Sequence, residues 1–172
     1  MQNKIKFALI GCGAISKKHT ESLKRIPEAE IIAVCDANPE IASSVGKTNN
    51  VPYYASYKEM TEKEDIDVFS ILTPSGTHSK IIIDLVQYGR HFVVEKPFTL
   101  RLSDADNIIE ACDTTGSMLF VVQQNRFNPP IVKLKEALIN GRFGKIVLAT
   151  VRVRWCRRQE YYDQKKWRGT WV

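Results

Sequence analysis

A doubly wound α/β fold is what this sequence of 172 residues predicts: a parallel sheet wrapped by helices on both faces, followed by the start of a second, α+β unit. Three observations carry that expectation. Six apolar strand-like runs, the last ending at Gln123, alternate with five helix-like segments, and parallel neighbours need long crossovers that pack as helices. The first of these runs meets a glycine turn, Gly11-Cys12-Gly13-Ala14-Ile15-Ser16, that leads straight into a helix. The second ends on Cys35-Asp36, an acid at the end of a strand about 20 residues beyond the turn. With six strands the order 3-2-1-4-5-6 is favoured.

Each element has a local reason. Lys4 to Ile10 reads as a buried strand, and Ser16 to Ile26 as the helix after the turn. Glu30 to Val34 is the second strand, after which Asn38-Pro39 supplies an Asn cap and a first-turn proline for a helix. Val51 to Tyr54 is a short third strand, and Ser56-Tyr57-Lys58-Glu59 fits a capping box. Asp67 to Leu72 is the fourth strand, with a helix from Thr77 to Tyr88 that stops at Gly89. His91 to Val94 is the fifth. Ser103, with Asp104 and Asp106, opens the next helix, which stops at Gly116, and Met118 to Gln123 is the sixth strand. Asn128-Pro129-Pro130 starts one more helix ending near Asn140-Gly141. Lys145 to Trp155 then alternates apolar and polar side chains as a strand with one wetter face does. Without a hairpin partner, it is expected to pair with another copy or to be poorly ordered.

Composition sets the limits. Hydrophobic residues are 44% and charged residues 26%, a globular balance that excludes a disordered, collagenous or coiled-coil chain. The length allows one complete domain, residues 1–123, and the beginning of another, residues 124–172. No apolar stretch approaches the ~18 residues of a membrane span. The amino terminus has no secretory pattern, so a cytoplasmic chain with no membrane partner is expected. Cys12, Cys35, Cys112 and Cys156 lie far apart, which points to no metal site and no disulfide framework. The net charge of +6 is uneven: residues 133–172 hold 11 Lys/Arg against 3 Asp/Glu, the rest 14 against 16. Such a basic segment suits a phosphorylated small molecule, an acidic surface or nucleic acid, or is simply a solvated face. No nucleic-acid recognition motif accompanies it.

The glycine turn lets backbone approach a pyrophosphate whose charge rests on free N–H groups at the helix start. Ser16 stands where the pattern has its third glycine. Asp36 can accept from both hydroxyls of an adenosine ribose and would repel a ribose phosphate, and Ala37-Asn38-Pro39 brings no arginine to reverse this. NAD is therefore preferred over NADP. Thr73-Pro74-Ser75-Gly76-Thr77-His78 and Glu95-Lys96-Pro97 follow the fourth and fifth strands, at the sheet end where doubly wound folds collect function. Lys96 is either a surface lysine before a turn proline or a group beside the nicotinamide that assists proton movement. His78 either caps its helix or touches cofactor; His19 and His91 read as structural.

These pieces resemble the Gfo/Idh/MocA family (glucose-fructose oxidoreductase, inositol dehydrogenase, MocA), NAD(P)-dependent and mostly sugar-acting oxidoreductases with a Rossmann cofactor domain. The matching segments are the glycine turn with His19, Asp36, Thr73-Pro74 with His78, Glu95-Lys96-Pro97, Gln124-Asn125-Arg126-Phe127 and Trp167-Arg168-Gly169. The resemblance implies cofactor contacts from Gly11, Gly13, Ala14, Ile15 and Asp36, from Thr73, Pro74, His78, Glu95 and Lys96, and from Gln124, Asn125, Trp167 and Arg168. It assigns the catalytic role to Lys96, reaching substrate and nicotinamide, often beside a cis peptide, here Lys96-Pro97. It further implies a chain about twice this long, a histidine motif for proton transfer beyond Val172, and a large sheet domain that makes the full-length protein a homo-oligomer. The present residues are therefore expected to be the cofactor-binding part and not competent for turnover by themselves. Arg152, Arg154, Arg157 and Arg158, set among Trp155, Tyr161 and Tyr162, point to a sugar or nucleotide-sugar substrate, with surface-polysaccharide biosynthesis as one setting. A myo-inositol-type polyol dehydrogenase, a non-catalytic NAD-binding protein and a nucleic-acid binder are the alternatives.

Overall fold

The computed structural model describes residues 4–164 and 168–169. Six parallel strands, β1 (Ile5–Ile10), β2 (Ala29–Cys35), β3 (Tyr53–Tyr54), β4 (Val68–Ile71), β5 (His91–Val94) and β6 (Leu119–Val121), form one sheet. Their order is β3-β2-β1-β4-β5-β6, the doubly wound order expected from the sequence. Between them run α1 (Ser16–Leu23), α2 (Pro39–Asn49), α3 (Tyr57–Lys63), α4 (His78–Val86) and α5 (Leu102–Thr115).

Period-two alternation divides the strand side chains between two buried faces, which is why the strands read as continuous apolar runs. Ala8, Ile10, Ala33, Phe69, Ile71 and Phe92 join Ile81, Ile82 and Leu85 of α4 and Ile108 of α5 in one cluster. Phe69 and Phe92 stack with centroids 5.8 Å apart. Leu9, Val34 and Leu72 meet Leu23 of α1 in the other. Truncating a buried aromatic such as Phe92 costs about 3–5 kcal/mol, so this core holds the strands on whose ends the site stands.

Caps follow sequence chemistry at Asn38 and Ser56 but not at Ser103, nor at Asn128, whose side chain makes no cap bond. Asn38 Oδ1 accepts from the N–H groups of Glu40 and Ile41, and Ser56 Oγ from that of Glu59. Ser103, expected to open α5, lies inside it; Arg101 holds the cap position without a side-chain bond, and Gly116 closes the helix at φ 69°. The acid in the first turn, Asp104, still suits the positive end.

The described chain separates into two compact units at residues 122 and 123. In the second, a 3₁₀ turn (Gln124–Phe127) precedes α6 (Pro129–Ile139) and α7 (Gln159–Asp163). The strand expected over Lys145 to Trp155 does not form. It has no ladder partner among the described residues, and Val147, Leu148, Val151 and Trp155 are exposed. Alternation makes a strand only where a neighbour completes its hydrogen bonds. Among the described residues no helix is long and apolar enough to cross a membrane.

Candidate functional site

The carboxyl ends of β1, β2, β4 and β5 carry the candidate residues, on either side of the point where the order reverses from β2-β1 to β4-β5. The two glycines after β1 serve different ends. Gly11 has φ 100°, and a Cβ built on it would lie 2.7–2.8 Å from the backbone of Leu72 and Thr73. Only glycine lets these two chain segments approach so closely. Around Gly13 a Cβ would meet nothing within 4 Å, so this residue leaves open space rather than filling a contact. Ser16, in the third-glycine position, is buried and donates its hydroxyl to the Gly13 carbonyl at 2.7 Å, pinning the turn.

The N–H groups of Gly13, Ala14 and Ile15 have no protein acceptor among the described residues. They stand at the start of α1, where the helix dipole and unused donors favour an anion. Asp36, half-buried at the end of β2, accepts from Cys12 N–H at 2.8 Å through Oδ2 and from Asn38 N–H at 2.9 Å through Oδ1. Each oxygen keeps a lone pair, so the carboxylate can still receive two hydroxyls. The staple from Asp36 to the turn was missed in the sequence. The bond to Asn38, two residues on, is an Asx turn. A pyrophosphate on the free N–H groups and a ribose on Asp36 both fit these residues. Burial, then the nearby Asp36 charge, pushes the Cys12 thiol up to about 12, which leaves it an inert packing group in the turn.

His78 is fully buried, and both its ring nitrogens face carbonyl oxygens: Nε2 lies 2.9 Å from that of Thr73, Nδ1 3.1 Å from that of Pro97 and 3.3 Å from that of Phe98. It therefore clips the loop after β4 to the loop after β5. Thr73 Oγ1 and the Pro74 carbonyl both accept from the Thr77 hydroxyl at 2.7 Å. Lys96 is exposed, and the Lys96-Pro97 peptide is cis.

Glu95 is almost buried and divides its carboxylate, Oε1 lying 3.0 Å from His19 Nε2 and Oε2 accepting from Lys96 N–H at 3.2 Å. The hydrogen bond from His19 is the main reason its carboxyl sits below the usual range, against the opposing effect of burial. Sequence reasoning treated His19 as structural and Glu95 as a cofactor contact; their partnership was missed. The available signal was α1 itself, whose inward residues Ser16 and Thr20 are polar. Among the described residues no cluster of three or more His, Cys, Asp or Glu could hold a metal ion.

The remaining candidates belong to the second unit. Gln124 and Asn125 are exposed in the 3₁₀ turn. Arg168 lies over the Tyr161 ring at 4.0 Å and donates to the Tyr161 carbonyl at 2.7 Å. Arg157 lies over the rings of both Trp155 and Tyr161. Trp167 falls outside the described residues.

A family model described as "Oxidoreductase family, NAD-binding Rossmann fold" matches residues 5–123. The D-apiose dehydrogenase of Paraburkholderia graminis is 33% identical over 82% of this chain and 38% of its own. The myo-inositol 2-dehydrogenase of Thermotoga maritima is 31% identical over 82% of this chain and 42% of its own. Among solved structures, the WlbA dehydrogenase from Bordetella pertussis, in complex with NADH and UDP-GlcNAcA, is 41% identical with a TM-score of 0.95, over 98% of this chain and 52% of that one. The chain thus spans about two fifths of these curated relatives and about half of the WlbA chain. It belongs to the Gfo/Idh/MocA oxidoreductase family and carries that family's NAD-binding Rossmann domain.

Proposed function

We propose that this member of the family holds NAD on the turn from Gly11 to Ser16, with Asp36 on the adenosine ribose, and serves hydride transfer between NAD and the hydroxyl-bearing carbon of a sugar or nucleotide sugar, the hydroxyl proton moving separately. The cofactor, when bound, supplies the hydride acceptor or donor; the protein supplies orientation and charge. The N–H groups of Gly13, Ala14 and Ile15 would bear the pyrophosphate, and Thr73 and Pro74 would border its path across the strand ends. Lys96, exposed at the end of β5, would donate a hydrogen bond to the reacting oxygen and assist its proton transfer. Residues 1–123 would form the cofactor domain, and residues 124–172, with Gln124, Asn125, Trp167 and Arg168, would begin the part that meets substrate.

The observation that carries this reading is the Asp36 carboxylate, held against the turn by two backbone amides with its remaining lone pairs free. Clamped so, it cannot turn away from a ribose phosphate, which favours NAD. Isothermal titration should find NAD binding at least about tenfold tighter than NADP, the effect of roughly 1.4 kcal/mol of charge repulsion. Tighter NADP binding would overturn it. A nucleotide sugar is favoured over a free polyol because the similarity to WlbA covers 98% of the chain, a share that must take in most of the basic segment. In that segment Arg157 and Arg168 are stacked on aromatic rings, an arrangement suited to a diphosphate and a base.

A further inference from the structure

We infer that His19 is a positioning residue for Lys96, acting through the Glu95 carboxylate. The inference rests on the reading of Lys96 given above, but the geometry that motivates it does not. α1 begins at the glycine turn, and His19 lies one helical turn into it, on the side where Ser16 pins Gly13. From there its Nε2 reaches Glu95 Oε1 at 3.0 Å, across from the helix to the end of β5. The other oxygen of the same carboxylate holds the backbone N–H of Lys96 at 3.2 Å. The strand ladder fixes the Glu95 backbone, its N–H donating to the Ile71 carbonyl at 3.0 Å. One carboxylate thus ties the helix that starts at the cofactor turn to the peptide that carries the lysine.

Both side chains are nearly closed to water, at 15% and 11% exposure. A carboxylate so enclosed is stable only while its lone pairs are occupied. Without His19, Oε1 has no partner in reach among the described residues, and the carboxylate gains by rotating toward solvent. That rotation withdraws Oε2 from Lys96 N–H and frees the lysine peptide. His78 holds the following residues through the Pro97 and Phe98 carbonyls, so the loop has two anchors, and His19 governs the one at the lysine itself. The role needs only a donor at the Nε2 position, which a glutamine amide also supplies at similar reach.

The test is amide hydrogen exchange at Lys96, read by NMR in the wild-type chain, H19A and H19Q, with NADH affinity measured alongside by fluorescence. H19A should speed exchange of the Lys96 amide by about tenfold, the loss expected for a hydrogen bond to a charged group. H19Q should return it to within about threefold of wild type, and NADH affinity should stay within about twofold in both. A folded H19A with wild-type exchange at Lys96, or H19Q exchanging as fast as H19A, would overturn the inference. The wild-type chain gives a check that needs no variant: His19 must carry a proton on Nε2, and ring-nitrogen shifts showing Nε2 unprotonated would overturn it. A wild-type chain that binds no NADH would remove the cofactor reading and leave the Lys96 exchange result intact, so the two failures are told apart.

Discussion

The turn after β1 and the loop after β5 stand on the same edge of one sheet and are held by opposite means. The turn is fixed mainly by backbone: Gly11 packs against the peptides of Leu72 and Thr73 and its N–H bonds to the Cys35 carbonyl at 2.8 Å, with the Ser16 hydroxyl on the Gly13 carbonyl and the Asp36 carboxylate on Cys12 N–H as added staples. The loop is fixed by buried polar side chains, Glu95 with His19 and His78 with three carbonyls. The end that would cradle a phosphate is therefore specified by missing side chains, and the end that would do chemistry by ionisable ones. Replacing the packed glycine should cost stability at the first, whatever the pH, and replacing an ionisable residue should alter protonation or turnover at the second.

The widest separation should appear with Lys96→Met. Lys96 is exposed and outside the packing, so unfolding temperature should barely move, as for most surface changes. On the function proposed above, turnover of NAD+ with a sugar or nucleotide-sugar substrate should fall by roughly 10²–10⁴-fold, the range of a general acid–base group. NADH affinity should stay within about twofold, and a K96M variant with unchanged turnover would take the catalytic role away from this loop. The two glycines give the next largest contrast. Gly11→Ala forces a side chain into φ 100° and into backbone at 2.7–2.8 Å, a strain of about 1–3 kcal/mol before the clash is counted. At roughly 2–4 °C per kcal/mol for a chain this size, thermal denaturation should show a loss of several degrees. Gly13→Ala, in open space, should leave that temperature alone and weaken NADH binding only. Equal thermal losses in the two variants would erase the distinction between a packing glycine and an access glycine.

How far all this could be read from sequence differs with the kind of constraint. The sheet order, the helix at Asn38-Pro39 and the end at Gly116 rest on local pattern, and the structure has them. The turn and Asp36 were legible because their spacing is set by one strand-helix-strand unit. The His19–Glu95 pair joins residues 76 apart, and no local pattern announces a contact made by the packing of a helix over a distant strand. His78 posed a related difficulty: its helix position was plain, but its carbonyl partners at Pro97 and Phe98 exist only once two loops meet. Lys145 to Trp155 failed for the converse reason. Its alternation is a real strand signal, but a strand is a property of two segments, and the described residues supply one.

The smallest expected effect bears on the polar anchoring of the β5 loop, and its sign can be worked out. The Glu95 carboxyl is lowered from its ordinary value of 4.5, first by the hydrogen bond from His19 and then, with burial opposing, by the charges of His19 and Lys96 and by Lys96 N–H. A folded value below the unfolded one means that folding favours the ionised form. The stabilisation is then complete above the ordinary carboxyl value and is lost as the pH falls through the depressed folded value. Urea denaturation of wild type and Glu95→Gln across pH 3–7 should show wild type the more stable by a constant margin in the upper part of this range. The margin should shrink as acid protonates Glu95. A margin that instead widened toward low pH would mean that Glu95 is held in its neutral form, and that the loop after β5 is anchored by something other than a charged carboxylate.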